Sequence, residues 1–196
     1  MRIAAGIYKN SEIATPGEGT HPMGSRERLA LFNMITEYLP GSRVLDVFAG
    51  SGALGIEALS RGAESVIFIE KNPKACETIK NNLKKLKISA TRGEVIRADV
   101  YAVLGVVPDA STNVPINTSV APARAIGEFG VVLADPPYDN YDEEKIKMLT
   151  RAVTTPNGVL VLSHPTEVAP EMPGLTLLKT RKYASAHISI YKNSFM

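Results

Sequence analysis

From residue 43 onward, the hydrophobic positions alternate between short continuous apolar runs and longer segments with helical spacing. Apolar runs of four to eight residues are typical of buried strands, whereas apolar residues three and four apart are typical of helices. A repeated strand–helix order favours a mostly parallel sheet covered by helices on both faces. The predicted strands are 43–48, 65–70, 94–99, 131–134 and 158–164, and the predicted helices are 54–62, 72–87 and 142–153.

The first forty residues follow a different pattern. Residues 1–15 hold two short β-like stretches and predict a small hairpin that turns at Lys9-Asn10. Residues 16–24 are rich in Pro and Gly and predict a loop. Ser25 is the expected N-cap of a helix that runs to Leu39, before Pro40-Gly41.

The tail and the middle of the chain complete the predicted architecture. Residues 175–192 suggest two further strands that turn around Lys182-Tyr183 and close the sheet as an antiparallel hairpin. We therefore predict an α/β, Rossmann-like fold with a seven-stranded sheet and a small N-terminal hairpin and helix extension. Residues 1–24 are expected to be an appendage to a domain at 25–196, and residues 105–128 a surface insertion.

Composition limits the function classes. The 196 residues are 44% hydrophobic and carry a net charge of +2, so one mildly basic domain is expected, compatible with a nucleic-acid partner. The single cysteine supports neither a disulfide framework nor a zinc site, and we expect no metal. No signal-peptide core or membrane-length apolar run stands out, so a cytoplasmic protein is the expectation. We also expect a monomer.

A glycine-rich turn follows the first predicted strand of the α/β region. Gly50, Gly52 and Gly55 form the pattern G-x-G-x-x-G, which allows a tight turn and close approach of a ligand to the backbone. Glu70 ends the next strand, twenty residues after Gly50, where an acid can accept hydrogen bonds from ribose hydroxyls. The pattern indicates a cofactor that contains a nucleoside.

Acidic residues near four strand ends indicate which cofactor. Asp46 would repel a pyrophosphate near the turn, which disfavours a dinucleotide oxidoreductase and suits the ammonium and sulfonium of S-adenosylmethionine. Asp99 is placed to accept from an adenine amino group, and Asp135 ends the fourth strand. Single strand-end acids are often helix caps, but a shared edge of an open α/β sheet is where ligands bind. The candidate cofactor contacts are Asp46, Phe48, Ala49, Gly50, Ser51, Gly52, Gly55, Glu70, Lys71, Asn72, Asp99 and Val100.

Residues 135–138 read Asp-Pro-Pro-Tyr and carry the candidate chemistry. The exocyclic amine of a nucleobase is a poor nucleophile because its lone pair is delocalised into the ring. Hydrogen bonds from that amine to Asp135 and to the Pro136 carbonyl would localise the lone pair and aim it. Pro137 helps to fix the backbone, and Tyr138 offers a face on which an extruded base can stack. The motif predicts methyl transfer to a base amine.

These segments together resemble a known family. Residues 46–63 with the Asp-Pro-Pro-Tyr motif are similar to class I S-adenosylmethionine-dependent methyltransferases, and nearly the whole chain resembles the bacterial 16S rRNA guanine-N2 methyltransferases. The resemblance implies N2 methylation of guanine 966 in 16S rRNA, free or in an assembling small subunit. Segments 1–6, 21–33 and 180–192 favour this family over DNA adenine-N6 methyltransferases, which share the motif logic.

The resemblance also places the appended segments beside the RNA. The chain departs from the family at His21, Met23, Ser25 and Leu29, where arginine, threonine, an acid and glutamate are usual. A DNA adenine-N6 methyltransferase and a non-catalytic RNA-binding protein remain alternative interpretations. The candidate RNA contacts are Arg2, Lys9, His21, Arg26, Arg28, Lys179, Arg181 and Lys182.

Overall fold

A seven-stranded sheet forms the centre of the computed structural model, which describes residues 1–17, 23–104, 127–152, 155–183 and 186–194. The strands are β1 (Arg43–Val47), β2 (Ser65–Glu70), β3 (Gly93–Arg97), β4 (Val131–Ala134), β5 (Val159–His164), β6 (Leu175–Tyr183) and β7 (Ala186–Asn193). Their order across the sheet is β3-β2-β1-β4-β5-β7-β6. Neighbours among β1 to β5 are parallel, and β7 is antiparallel to both β5 and β6. The predicted fold class is confirmed.

Helices and short 3-10 turns connect and cover the strands. The helices are α1 (Ser25–Met34), α2 (Ala53–Ser60), α3 (Pro73–Lys85), α4 (Val100–Val103) and α5 (Glu143–Lys147). The 3-10 turns are Thr36–Tyr38, Tyr138–Asn140 and Met148–Ala152. The helix predicted over 142–153 is therefore only half α-helical, with a tighter turn in its second half. None of the described helices combines the length and apolar character required to cross a membrane.

Two hydrophobic cores lie on opposite faces of the sheet because strand side chains alternate in direction. On one face, Leu133, Ile188 and Ile190 pack with Phe32 of α1 and with α2 and α3. We call this surface the α1 face. On the other face, Leu162 and its strand neighbours pack with α4 and α5. The direction of any strand side chain can therefore be read from its position between these two cores.

The ends of α1 differ from the prediction. Gly24, and not Ser25, is the N-cap, because the Glu27 carboxylate accepts a hydrogen bond from the Gly24 N–H at 2.6 Å. The helix ends at Met34, five residues before the predicted end at Leu39. Thr36 Oγ1 donates to the Phe32 carbonyl at 2.8 Å, a side-chain bond that competes with helical backbone pairing.

The terminal hairpins are also refined. The N-terminal pairing is an isolated antiparallel bridge between Arg2 and Glu12, with no longer ladder among the described residues there. At the other end, Lys182 and Tyr183 are the last residues of β6 and pair with β7, so the turn lies after them. The expected insertion at 105–128 lies outside the described residues except for its last two positions.

Candidate active site

Four acidic residues meet at one edge of the sheet, as the sequence predicted. The strands β3, β2, β1 and β4 are neighbours and parallel, so their carboxyl ends lie side by side. Glu70 is the last residue of β2, and Asp46 is the second-last residue of β1. Asp99 lies two residues after β3, and Asp135 directly follows β4. In an open α/β sheet this edge is the one that holds ligands.

The glycine turn between β1 and α2 is shaped by left-handed backbone. Gly50 has a φ of +55° and Gly52 a φ of +76°, which L side chains rarely adopt. Among the described residues, a Cβ at Gly50 would meet only the Phe48 carbonyl oxygen, at 3.9 Å, so that part of the structure leaves the space above this residue open to a ligand. At Gly55 a Cβ would lie 2.3 Å from the Phe68 ring, so this glycine is required for packing of α2 on the sheet.

Asp46 is buried beneath the glycine turn. Asp46 is only 1% exposed, and its Oδ2 accepts a hydrogen bond from the Gly55 N–H at 2.8 Å. Burial raises the pKa of Asp46 well above its usual value, and the nearby Asp135 charge adds to the effect. The structure therefore gives Asp46 a positioning role in holding the start of α2, and its contact with a cationic cofactor stays a prediction.

Glu70 links the turn to the start of α3. Its two carboxylate oxygens accept from the Gly50 N–H at 2.9 Å and from the Asn72 N–H at 2.8 Å. A carboxylate offers about four lone-pair sites, so these bonds leave capacity for ribose hydroxyls. Lys71 is exposed, and the Asn72 side chain caps α3 by accepting from the Lys74 N–H.

The adenine end of the predicted cofactor site is flanked by aromatic rings. Asp99 caps α4 by accepting from the Tyr101 N–H at 2.9 Å, so its carboxylate is partly used as a helix cap. The rings of Phe48 and Tyr101 lie 5.8 Å apart in an edge-to-face arrangement. Phe48 has a positive φ of 59°, and Val100 is buried below the site. Tyr101 was not predicted, although an aromatic residue two positions after a strand-end acid was a readable signal.

The remaining turn residues have structural partners. Ala49 and Ser51 are buried, and the Ser51 carbonyl accepts from the Asn82 side chain at 3.0 Å. The same Asn82 amide accepts from the Ala14 N–H at 2.8 Å and donates to the Ala14 carbonyl. Asn82 of α3 therefore fixes the glycine turn and the N-terminal segment to each other, a role that sequence spacing did not reveal.

Asp135 lies half-buried on the α1 face. Strand alternation places it there, because Leu133 packs against α1 two residues earlier. Burial and the charge of Glu27 on α1 raise the pKa of Asp135, a hydrogen bond from Ser163 lowers it, and the net result is a pKa of about 6. The carboxyl group therefore titrates close to neutral pH.

The other residues of the motif surround Asp135. The Tyr138 hydroxyl lies 2.5 Å from Ser163 Oγ on β5. An ionised Asp135 can only accept, so Ser163 donates to it and in turn accepts from Tyr138. Pro136 is buried, Pro137 is exposed, and Tyr138 is half-buried. The arrangement is a hydrogen-bonded chain from an aromatic ring to a carboxylate.

Sequence reasoning missed two residues of this site, Glu27 and Ser163. Glu27 lies in the first turn of α1. Its capping role depends on Gly24 being the N-cap, whereas the sequence had suggested Ser25. Ser163 is one of two polar residues, with His164, on a fully buried strand, and these polar positions were the available signal.

Arg28 is not available for a phosphate contact, contrary to the prediction. Its side chain is 1% exposed, and its Nε lies 3.6 Å from the Glu57 carboxylate of α2. Its Nη2 donates to the Arg2 carbonyl at 2.5 Å. Burial lowers the pKa of Arg28, whereas Glu57 raises it. Arg28 therefore ties α1 to α2 and to the N-terminal segment.

The other predicted RNA contacts are exposed where the structure describes them. Arg2 pairs with Glu12 at 2.9 Å on the surface. His21 lies outside the described residues. Among the described residues, no group of His, Cys, Asp and Glu side chains could hold a metal ion. The exposed cationic candidates are Arg2, Lys9, Arg26, Lys179, Arg181 and Lys182.

Comparison with known proteins places the chain in a family. A family model described as Conserved hypothetical protein 95 matches residues 1–192. A Bacillus subtilis protein named "Putative rRNA methyltransferase YlbH" is 37% identical, and the match covers 98% of each chain. Ribosomal RNA small subunit methyltransferase D of Haemophilus influenzae is 32% identical, over 98% of this chain and 94% of the relative.

A solved structure shares the fold over almost the full length. It is a Haemophilus influenzae protein described as a "putative methylase", with a TM-score of 0.72 and 28% identity. The match covers 98% of this chain and 97% of that protein. The helices and strands that frame the site are therefore arranged as in that protein.

Proposed function

The chain belongs to the family described as Conserved hypothetical protein 95, and from that premise we propose that it is an S-adenosylmethionine-dependent methyltransferase of ribosomal RNA. Two relatives that match over nearly their whole length carry rRNA methyltransferase names, which supports the substrate class. The observation that carries the proposal is the placement of Asp135. Its carboxylate lies at the ligand edge, next to the glycine turn and on the face covered by α1.

The residues at the ligand edge fit S-adenosylmethionine. The open space above Gly50 admits a ligand to the backbone, and Glu70 beside it keeps acceptor capacity for a ribose. Phe48 and Tyr101 would flank the adenine, and Asp99 would accept from its amino group. When bound, S-adenosylmethionine supplies a methyl group activated by its sulfonium charge. A pyrophosphate would be disfavoured by the same acidic edge.

The proposed acceptor is the exocyclic 2-amino group of a guanine. Asp135 accepts a hydrogen bond from one amine N–H, and the Pro136 carbonyl accepts from the other. These bonds localise the nitrogen lone pair and orient it, which is catalysis by positioning and by electrostatics. As the new N–C bond forms, the bond between the methyl carbon and the cofactor's sulfur would break; the amine loses a proton, and Asp135 receives it. Its pKa of about 6 suits this exchange near neutral pH.

Tyr138 holds the ring of the target base. Its side chain is half-buried and is fixed by the hydrogen bond to Ser163, so the aromatic face is presented in one orientation. A base that is turned out of its stack can be held against such a face. Ser163 therefore orients both Tyr138 and Asp135 and links base stacking to the position of the acceptor.

The N-terminal segment supplies RNA contacts in this proposal. Residues 1–24 act as an RNA-binding appendage to the methyltransferase domain at 25–196. Arg2, Lys9 and Arg26 are exposed and can reach phosphates, which position RNA without specifying sequence. Arg28 is excluded from this role by its burial.

Methyl transfer from labelled S-adenosylmethionine to small ribosomal subunits tests the function. We expect the wild-type chain to label 16S rRNA, and Asp135→Ala to lower kcat by about 100-fold to 1,000-fold, as for loss of one oriented catalytic group. Asp139→Ala, an exposed neighbour, is the matched control and should retain activity. Circular dichroism checks that both variants are folded.

Three results would contradict the proposal. Labelling of DNA and not of subunits would favour an adenine-N6 methyltransferase, which shares the motif. Full activity of Asp135→Ala would remove the proposed mechanism. Absence of measurable S-adenosylmethionine binding in calorimetry would instead favour a non-catalytic RNA-binding protein.

A further inference from the structure

The outermost strand β6 presents its cationic side chains on two different faces. In its pairing with β7, Lys179 lies opposite Ile190 and Arg181 lies opposite Ile188. Both isoleucines belong to the core beneath α1. Opposite residues of a strand pair point to the same side of the sheet, so Lys179 and Arg181 extend the α1 face.

Lys182 points to the opposite side. It lies opposite His187, and its Nζ is 3.7 Å from the Glu167 carboxylate. The neighbouring Thr180 bonds Ser189 at 2.8 Å, and Ser189 in turn bonds His164, which places this group on the face away from α1. Of these three cations, Lys179 and Arg181 therefore lie on the α1 face and Lys182 lies on the opposite face of the sheet.

An aromatic residue continues the α1-face row toward the active site. Tyr183 lies opposite Ala186, and its ring packs in part against the core beneath α1. β6 runs in the same direction as β5, so Tyr183 ends at the edge that holds Asp135. Alternate residues of a strand are about 7 Å apart, so Arg181 and Lys179 follow at regular steps away from that edge.

We propose that Tyr183, Arg181 and Lys179 form a track for the single-stranded RNA that flanks the target nucleotide. This inference rests on the proposed function, because it needs an RNA whose base enters at Asp135. Tyr183 stacks on a neighbouring base, and the two cations contact successive phosphates. We call these three residues the β6 track.

The chemistry of the β6 track fits RNA. Lys179 and Arg181 are exposed, and within the described part of the chain neither has an ion-pair partner, whereas Lys182 has one. A row of cations that begins at an aromatic ring is the usual surface for single-stranded nucleic acid, because rings stack on bases and cations follow the backbone. Because β6 ends at the edge that holds Asp135, RNA bound along the β6 track would reach the carboxylate that holds the amine.

Salt-dependent binding to small ribosomal subunits tests the track. Each lost phosphate contact to a single strand should lower the slope of log affinity against log salt by about 0.7. We expect this reduction in Lys179→Gln and in Arg181→Gln, about twice that in the double variant, and roughly tenfold weaker binding of the double variant near 0.15 M salt. Lys182 is the control, because its register turns it away from the β6 track and this proposal removes it from the candidate RNA contacts. Lys182→Gln makes the same charge change on the opposite face and should leave the slope unchanged.

Tyr183 is tested by a pair of variants. Tyr183→Ala should raise KM for subunits with little change in kcat, and Tyr183→Phe should restore the wild-type KM because the ring is kept. Circular dichroism of each variant checks that the β6–β7 hairpin remains folded. A failure of Phe to restore KM would remove the stacking role.

The outcomes separate the track from the function. If wild-type protein methylates subunits but Lys179→Gln, Arg181→Gln and Lys182→Gln share one slope, the track is refuted and the function stands. Weaker binding with an unchanged slope would indicate contact with a ribosomal protein and would also refute the track. If wild-type protein transfers no methyl group to subunits, the proposed function fails and the track fails with it.

Discussion

At the residue scale, the properties of Asp135 come from its own burial and from two neighbours on two other elements. Burial at the end of β4 raises its pKa, Glu27 on α1 adds a like charge, and Ser163 on β5 donates a hydrogen bond that lowers it. The carboxylate form is the acceptor that the proposed reaction needs. Activity should therefore be present above a pH of about 6 and be lost as the pH falls through that value.

Two substitutions should shift the acid limb of the pH–activity profile, where activity is lost at low pH, in opposite directions. Glu27→Gln removes the like charge but keeps the acceptor for the Gly24 N–H, so the pKa of Asp135 falls and activity extends to lower pH. Ser163→Ala removes the stabilising hydrogen bond, so the pKa rises and activity is lost at higher pH. The measurement is kcat/KM for labelled methyl transfer between about pH 5 and pH 8, the range where such groups titrate.

Identical acid limbs in wild type and both variants would show that Asp135 does not control the profile. The two variants are expected to shift the midpoint of the acid limb in opposite directions. A general loss of stability would lower the activity of both variants but would not move these midpoints apart.

Residue identities were predictable from sequence where the chemistry is local. Glu70 and Asp135 end apolar runs, and alternating β and α patterns place such ends at one edge. The role of Asp46 was not predictable in the same way, because its burial beneath Gly55 depends on how α2 packs. Arg28 shows the same limit, since a helical arginine is ordinarily exposed and only the tertiary partner Glu57 explains its burial.

At the element scale, the N-terminal segment is attached to the domain by buried polar contacts. The Glu57 carboxylate of α2 accepts from the Ala4 N–H at 2.7 Å and from the Ala5 N–H at 3.0 Å. It also accepts from Arg61 Nε at 2.8 Å and lies 3.6 Å from Arg28 Nε. One side chain thus holds the segment, α1 and α2 together, and its loss would leave buried donors without an acceptor.

We expect Glu57→Ala to lower the free energy of unfolding by about 3–5 kcal/mol, because breaking a buried charge network leaves uncompensated charge. Urea denaturation measures the change. Glu12→Ala, which breaks the exposed pair with Arg2, is the control and should have little effect. Equal and small effects of both substitutions would show that Glu57 does not attach the segment.

Element boundaries were predicted well in the sheet and less well in the helices. The strands β2 and β4 match their apolar runs residue by residue, because buried parallel strands are continuous hydrophobic segments. The helix after residue 25 is shorter than its apolar spacing suggested, since the Thr36 hydroxyl competes for a backbone carbonyl. The side chains that β6 presents on each face follow from its pairing register with β7, which a single sequence does not contain.

At the scale of the whole molecule, the sheet order gathers groups from distant parts of the chain at one edge. The glycine turn, the end of β2 and the start of α3 are joined through Glu70, and the N-terminal segment is joined to the same turn through Asn82. A ligand that contacts this edge therefore contacts several elements at once. Its binding should stabilise the folded chain as a unit.

S-adenosylmethionine at about one hundred times its Kd should stabilise the protein by about 2.7 kcal/mol. For a chain of this size, that corresponds to a rise in Tm of roughly 5–10 °C, measured by thermal unfolding with and without the ligand. Glu70→Ala should remove most of the rise relative to its own ligand-free Tm. Glu77→Ala, an exposed acid on α3, should keep it.

If S-adenosylmethionine raised the Tm of Glu70→Ala as much as that of the wild-type chain, Glu70 would not be the residue that binds the ribose. An equal rise with NAD in the wild-type chain would contradict the choice of cofactor, because the acidic edge is expected to disfavour a pyrophosphate.

The central claim is that Asp135 and its neighbours deliver a methyl group to the 2-amino group of a guanine in 16S rRNA. Mass spectrometry of nucleosides from small subunits treated with the protein and S-adenosylmethionine tests it most directly. We predict N2-methylguanosine with the wild-type chain, and an initial rate of its formation that is about 100-fold to 1,000-fold lower with Asp135→Ala. N6-methyladenosine, or no new methylated nucleoside with a folded, cofactor-binding wild-type chain, would contradict the account.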